Sequence, residues 1–408
     1  MNPDYDMIVI GGGLVGASLA CALGGSGLRL AVVEAVPLGA LDQPSYDDRT
    51  IALAWGSRRI FEGLGVWRAM GQGVCPIRHI HISDRGHFGM THLDADEAGL
   101  EALGYVVENR VIGEALYAAL QTYEKVELIS PASVAGLEQT AESVSCRVEQ
   151  EGGARTLTAR LAVVADGGRS GIAESLGLRA RRTDYGQTAI VTNVTPGRDH
   201  AHTAYERFTD TGPLALLPMT GSRCAVVWSA RHQEVDTILG WDEAEFLARL
   251  QQRFGHRLGE FQRAGKRAAY PLALTRLREH VRGRTVLVGN AAHTVHPVAG
   301  QGFNLGLRDV ATLAEVLVQA QHSGEDIGEA AVLHRYTRWR RRDTFLTSAF
   351  TDALIRIFSN NFPPLVLARD LGLLGVELLP GVKRAFTRRT SGLHGKLPRL
   401  ARGVSLIE

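Results

Sequence analysis

The apolar residues at the start of the chain fall into short runs broken by glycine. Asp6-Met7-Ile8-Val9-Ile10 has strand length, Gly11 to Gly16 follows at once, and a helical stretch continues through Leu23. A second run, Leu28 to Val33, ends on Glu34. This order predicts strand, glycine turn, helix and strand, with a carboxylate closing the second strand. After Arg110, Val111, Ile112, Ala115, Leu116 and Ala119 recur at helical spacing, and residues 126–165 alternate as strands ending in Leu161-Ala162-Val163-Val164-Ala165. From 186 to about 274 strand-length runs dominate, among them Ala189 to Val194, Ala204 to Phe208, Leu214 to Pro218 and Cys224 to Trp228, with a helix predicted near 242–254. Thr285 to Val288 is a short buried-type strand, and a glycine loop from Pro297 to Gly306 opens a long helix to about Ala320. Phe345 to Phe358 forms a further helical stripe, and a second apolar stretch, Leu365 to Leu379, follows Pro363-Pro364.

Each element of the first motif has a chemical reason. Gly11 permits the tight turn, Gly13 lets backbone approach a pyrophosphate, and Gly16 lets helix pack on strand. The helix N-terminus offers N–H groups and a positive dipole end to the phosphates, and Glu34 can accept hydrogen bonds from a ribose. Either FAD or NAD satisfies this pattern. Arg49 follows the second strand closely enough to reach the phosphates. Arg110 opens a helix, where a cation opposes the macrodipole unless an anion lies near. Asp166-Gly167 ends a buried strand at the crevice where ligands bind in open α/β sheets.

Composition narrows the class. A chain of 408 residues with 45% hydrophobic and 22% charged residues has room for two or three domains, and a net charge of +2 argues against a nucleic-acid binder. No apolar run reaches the roughly 18 residues of a spanning helix, and Asp4 and Asp6 sit where a signal peptide would be basic. Cys21, Cys75, Cys146 and Cys224 are scattered, and are expected to be reduced, buried thiols of a cytosolic protein. His79, His81, His87 and His92 match no ligand spacing, so a polar strand face is expected rather than a metal site.

Taken together, Gly11-x-Gly13-x-x-Gly16 with Glu34, Asp166-Gly167, and Gly289-Asn290-Ala291-Ala292-His293 followed by Pro297 and Gly300-Gln301-Gly302 resemble the FAD-dependent aromatic hydroxylases of the para-hydroxybenzoate hydroxylase fold. Arg49-Thr-Ile-Ala-Leu, Ser83-Asp-Arg-Gly-His87, Glu206-Arg-Phe-Thr209 and Tyr270-Pro-Leu-Ala-Leu274 narrow the resemblance to the ubiquinone-biosynthesis hydroxylases. Asn290 stands where the family usually has aspartate, and the member acting on 2-polyprenyl-6-methoxyphenol is similar in this respect. Ala173 stands where the Asp-Gly motif commonly carries arginine.

The resemblance implies an α/β fold. A FAD-binding Rossmann-like domain (1–75, 105–185, 275–342) would interleave with a β-sheet-based substrate domain (76–104, 186–274), followed by a helical C-terminal region (343–408). Gly11, Gly13, Gly16, Glu34, Arg49 and Arg110 would hold the ADP half of FAD. Asp166 and Gly167 would line the pyrophosphate and nicotinamide approach, and Asn290 would meet the ribityl chain. Pro297 and Gly300 would shape the loop, while Gly302, Phe303 and Asn304 would face the flavin, with a helix starting at Phe303 aimed at it. NAD(P)H would visit as a transient electron donor, and O2, activated at flavin C4a as a hydroperoxide, would hydroxylate a polyprenylated phenol to the 1,4-benzoquinol. No side-chain base is identified, and His293 and His296 are expected to be structural. The competing readings are a sister hydroxylase acting at another ring position, a FAD reductase of the same fold, and a non-catalytic prenyl-binding protein. Lys383, Arg384, Arg388, Arg389, Lys396, Arg399 and Arg402, with no acid between Glu377 and Glu408, suggest a basic tail. Such a tail would attract an anionic membrane or a membrane-bound complex, and truncation after Gly381 would leave FAD binding intact.

Overall fold

The computed structural model describes residues 3–37, 49–295, 300–358 and 362–407. At its centre, Tyr5–Ile10 lies between Leu30–Val33 and Gly153–Val164, parallel to both. Val126–Ile129 and Thr285–Leu287 extend the parallel order on either side. These strands read as unbroken apolar runs because both faces are covered. On one face Met7, Val9 and Val163 pack against helices Leu14–Leu23, Asn109–Leu120 and Gln301–His322. On the other, Ile8 and Val164 meet Val134, Val144 and Cys146 of an antiparallel extension that completes an eight-stranded sheet.

A second, nine-stranded sheet is built on Ala180–Thr195, Arg223–Arg231, Gly212–Met219 and Thr203–Thr209, paired antiparallel. His79–Asp84 joins it parallel to Thr203–Thr209 and carries Met90–Asp94 with it. Helix Glu243–Phe254, capped by Asp242 whose carboxylate accepts from the Glu245 N–H at 2.8 Å, covers this sheet through Phe246, Leu250 and Phe254. A three-stranded sheet of Thr50–Ala54, Gly104–Glu108 and Val74–Ile77 touches both larger layers. His81 and His92 hydrogen-bond each other at 2.7 Å, and His79 and His87 pair with Asp94 and Asp84.

The C-terminal region departs from the expected division. Residue 343 lies inside one continuous helix, Ala330–Phe358. Its first half buries Tyr336 in the core of the first sheet, and its second half packs Ile355 and Phe358 on Phe208 and Ile82 of the second. Helix Pro363–Leu378 is anchored by Arg369, whose Nε meets Asp84 Oδ2 at 2.6 Å with both side chains buried.

The reading of residues 383–402 as a basic tail without counter-charges is corrected. Pro380–Thr390 is a helix, and residues 391–407 fold back so that Leu400, Ala401 and Leu406 enter the first core. Lys383 pairs with Glu97 at 2.9 Å, Arg389 donates to the Leu346 carbonyl, and Lys396 sits over the Trp339 ring. The counter-charges and acceptors come from distant sequence, which is why the segment looked unpaired. Truncation after Gly381 therefore removes part of the FAD-domain core. All four cysteines are buried and free.

Candidate functional site

The glycine loop is shaped by contacts only glycine allows. Gly11 has φ +99°, and a Cβ there would lie 2.7 Å from the Asp166 backbone. A Cβ at Gly16 would collide with the Gly11 carbonyl oxygen. A Cβ at Gly13 would meet nothing within 4 Å, so the space above it is an open cradle at the start of helix Leu14–Leu23. The helix's first N–H groups lack intrahelical partners and face that end.

Around the cradle, Glu34 is buried and accepts from the Gly12 N–H at 2.6 Å and from the Val36 N–H at 2.9 Å. A carboxylate has further lone pairs, so a ribose can still be accommodated. Tyr117, which the sequence gave no reason to single out, donates its hydroxyl to the Gly12 carbonyl. Arg110 pairs with Glu108 at 3.0 Å and Glu114 at 3.3 Å, so the cation at this helix start is answered within the chain. Asp166 turns both carboxylate oxygens onto its own loop, accepting from Gly168 and Ser170 N–H, with Gly167 at φ +73°. The Arg49 guanidinium stands 5.4 Å from the centre of the Tyr270 ring, on the second sheet.

The second loop is pinned from behind. The Gly289 N–H donates to Asp309 Oδ2 at 3.1 Å, and the same oxygen meets His293 Nε2 at 2.7 Å. Asp309 Oδ1 meets Arg340 Nε at 2.7 Å, and Arg340 and Arg308 share Asp343, which also meets His394. Burial alone would raise Asp309, but His293 and Arg340 hold its carboxyl well below the usual range. His293 is thus a structural histidine. His296 and Pro297 lie outside the described residues.

Two expectations about the third motif need correction. The helix begins at Gln301, with Gly300 as its N-cap at φ +62°, where a Cβ would lie 2.9 Å from the Ala52 side chain. Asn304 does not turn its amide to a ligand. Its oxygen accepts from the Ala54 N–H and the Ser57 hydroxyl, and its nitrogen donates to the Ala52 and Gly300 carbonyls. A fully hydrogen-bonded, buried amide is a clamp between the helix start and strand Thr50–Ala54. What the helix presents is its first-turn backbone N–H groups, which have no intrahelical partner. Phe303 stacks on Phe61, and a Cβ at Gly302 would make only an ordinary contact, 3.8 Å from Val295.

These N–H groups border a cavity of about 370 Å³. Asn290 and Gly302 line one side; Ile80, Leu217 and Val227 of the second sheet line another; Phe350, Leu373 and Phe386 of the C-terminal helices close it. Among the described lining residues Glu206 is the only one with a side chain charged at neutral pH. Surrounded by apolar groups, it is desolvated, which pushes its carboxyl from 4.5 up to about 7. The sequence offered no base. Glu206 lay in an ordinary alternating strand, and only the packing of distant helices isolates it.

The chain matches the FAD binding domain family over residues 4–344. It is 42% identical to the ubiquinone hydroxylase UbiL of Rhodospirillum rubrum over 404 residues, 98% of this chain and 93% of the relative. It is 33% identical to the 3-demethoxyubiquinol 3-hydroxylase of Escherichia coli, covering 96% of this chain and all of the relative. The chain belongs to the ubiquinone-hydroxylase family of FAD-dependent monooxygenases. The crystal structure of p-nitrophenol 4-monooxygenase from Pseudomonas putida superimposes with a TM-score of 0.80 at 20% identity, covering 97% of this chain and 100% of that one, which establishes the shared fold.

FAD is the cofactor of this hydroxylase family, and the site fits it. The open cradle at Gly13 admits a pyrophosphate, Glu34 closes the strand beside it, and the helix start at Gln301 borders the apolar cavity. The two loops lie far apart in sequence, yet Gly306 brings the second against the first: its Cβ position is 3.2 Å from Gly289 and 3.3 Å from Val15.

Proposed function

We propose that this hydroxylase adds oxygen to the ring of a polyprenylated phenol in ubiquinone biosynthesis, with NAD(P)H as transient electron donor. The observation that carries the reading is the cavity itself, mostly apolar, with one carboxyl, Glu206, among its described lining residues. Bound FAD supplies the reducing equivalents and the activated oxygen. Gly11, Gly13, Gly16 and Glu34 bind its ADP half, with Arg49, Arg110, Asp166 and Gly167 bordering the approach. Asn290 meets the ribityl chain, and the N–H groups at Gly302 and Phe303 stabilise charge on the flavin ring. The Glu206 carboxylate accepts the phenol proton, which raises electron density at the position opposite the hydroxyl. A group poised near neutral pH can take and return that proton. Ile80, Leu217, Phe350 and Leu373 exclude water and receive the ring and the first prenyl unit. Ring position follows the sequence reading, 2-polyprenyl-6-methoxyphenol to its 1,4-benzoquinol, with the sister position as the alternative. Incubating the FAD-loaded protein with NAD(P)H, O2 and a set of polyprenylphenols, then identifying the product, tests both. Reduced flavin oxidised without any hydroxylated product would sink the proposal.

No helix among the described residues is long and apolar enough to cross a membrane. Helix Pro363–Leu378 nevertheless presents Leu367, Leu371 and Leu378 to solvent at helical spacing, with Leu379 and Val382 beyond, while its Leu373 and Val376 line the cavity. Exposed Arg384 and Arg388 lie on the next helix. This pairing of leucines and cations supports peripheral docking on an anionic bilayer, from which a prenyl tail would reach the cavity. Flotation with phosphatidylglycerol vesicles should be lost in a Leu371→Glu/Leu378→Glu variant that still turns over a short-chain phenol. Undiminished flotation of that variant would count against docking through this face.

A further inference from the structure

A second crevice, of about 1330 Å³, opens behind the loop that carries Asn290. Its walls are the end of strand Ala268–Leu277, the turn after it, and one side of helix Ala330–Phe358. Strand His293–Thr294 is the partition: Thr294 lines the flavin-side cavity and His293 lines this crevice.

Its charge is one-sided. Arg276, Arg278, Arg338, Arg341 and Arg342 line it, and none has an ion-pair partner among the described residues. The one carboxylate in the lining, Glu279, is engaged by Arg282 at 3.0 Å. His280 adds no charge at neutral pH, because burial and the cations nearby push its ring down to about 4.

The walls also carry unused hydrogen-bonding groups. Ser348 Oγ, Thr344 Oγ1 and His293 Nδ1 are buried and have no hydrogen-bond partner, and neither has the buried Nε of Arg276. The first three side chains are 0%, 8% and 2% exposed. Buried hydroxyls without partners are uncommon in folded proteins, and several converging on one crevice ask for a ligand with acceptors to supply. Five guanidiniums specify what kind. Arginine's fork matches phosphate and carboxylate oxygens, and a phosphate presents several acceptors at once. The groups deep in the recess are beyond the reach of a flat surface such as a bilayer or another protein's face. On the rim Phe345 is 62% exposed, a place for a planar base to stack.

We propose that this crevice binds a small phosphate-bearing molecule and that the cofactor loop senses its occupancy. The path is short and continuous. His293 faces the ligand with Nδ1 and holds Asp309 with Nε2, and Asp309 accepts from the N–H of Gly289, next to Asn290 in the cavity. A ligand that draws on His293 therefore bears on the loop that shapes the flavin's surroundings.

The test uses the FAD-loaded protein, so that the dinucleotide cradle is already filled. Calorimetric titration with inorganic pyrophosphate and, separately, with ADP should give saturable one-to-one binding at low salt. Arg338→Ala/Arg342→Ala, which alters exposed side chains only, should weaken it at least tenfold, and Ser348→Ala should weaken it while leaving the thermal midpoint unchanged or higher. Equal affinity for both probes identifies a free phosphate compound. Tighter ADP binding that Phe345→Ala abolishes identifies a nucleotide. Saturation should shift the bound flavin's absorbance, and a flat spectrum at saturation would overturn the coupling to the loop. Absence of saturable binding by either probe, or unchanged affinity in both variants, would overturn the site.

Discussion

Glu206→Gln should make this enzyme less active and, at alkaline pH, more stable. The carboxyl's pKa climbs from 4.5 unfolded to about 7 in the folded state because burial in the cavity penalises its charge. A raised folded pKa means that the folded state binds the proton more tightly. Stability from this group is present below pH 4.5 and is lost as pH rises through 7. At about 1.4 kcal/mol per pKa unit, the full loss is about 3 kcal/mol, most of which falls between about pH 5 and about pH 8.5. Glutamine fills the same space without a charge and has no such slope. Urea unfolding of the FAD-loaded wild type and variant at those two pH values, followed by tryptophan fluorescence, isolates the term as a difference of differences. The variant should gain on the wild type by about 2–3 kcal/mol from the acid to the alkaline measurement. Its kcat with a polyprenylphenol should fall, and the acid limb of the wild-type pH–rate profile should disappear. Parallel pH dependence of stability in the two proteins would refute the reasoning, since it would mean that the carboxyl is solvated.

Gly13→Val should leave the far-ultraviolet circular dichroism unchanged while the protein purifies without FAD, because its side chain enters only the empty cradle. Gly16→Ala should instead lower the thermal midpoint, since its Cβ meets the Gly11 carbonyl inside the fold. Asn290→Asp should retain FAD but lower its reduction potential, as a carboxylate near the flavin repels the charge gained on reduction; an unchanged or raised potential in a redox titration would count against the placement. Asp309→Asn should cost about 3–5 kcal/mol in a thermal or urea melt, because it leaves Arg340 buried with half its ion pairing gone.

What was legible in the sequence was what chemistry imposes locally. A pyrophosphate cradle needs glycine at fixed spacing, so Gly11, Gly13 and Gly16 announced themselves, and both faces of a covered parallel sheet must be apolar, so its strands did too. Strands of the second sheet were readable from alternation. Less legible were roles that depend on what folds against a residue from far away. Glu206 becomes unusual only when Phe350, Leu373 and Phe386 enclose its strand. Asn304 was expected at the flavin from the resemblance, yet Ala52 and Ala54 of the neighbouring strand, with Ser57 and Gly300, take its amide's hydrogen bonds. The cations after Glu377 looked unpaired because Glu97 is nearly three hundred residues earlier.

The fold-back of the last residues bears on how this molecule is made. The first sheet collects strands from residues 5–10, 30–33, 126–129, 153–164 and 285–287, and Leu400 and Leu406 then seal the side of its helices. Gly63 sits under Leu400, and Gly25 under Ile407, so residues 400–407 pack against the first 65 residues. A ribosome delivers those two segments on the order of tens of seconds apart. During that interval helix Trp55–Gly63 exposes the apolar surface that Leu400 and Ala401 will cover. Emerging chains thus need shelter until residues 400–406 are made, and a product cut short before them would carry all three glycine motifs over an open core.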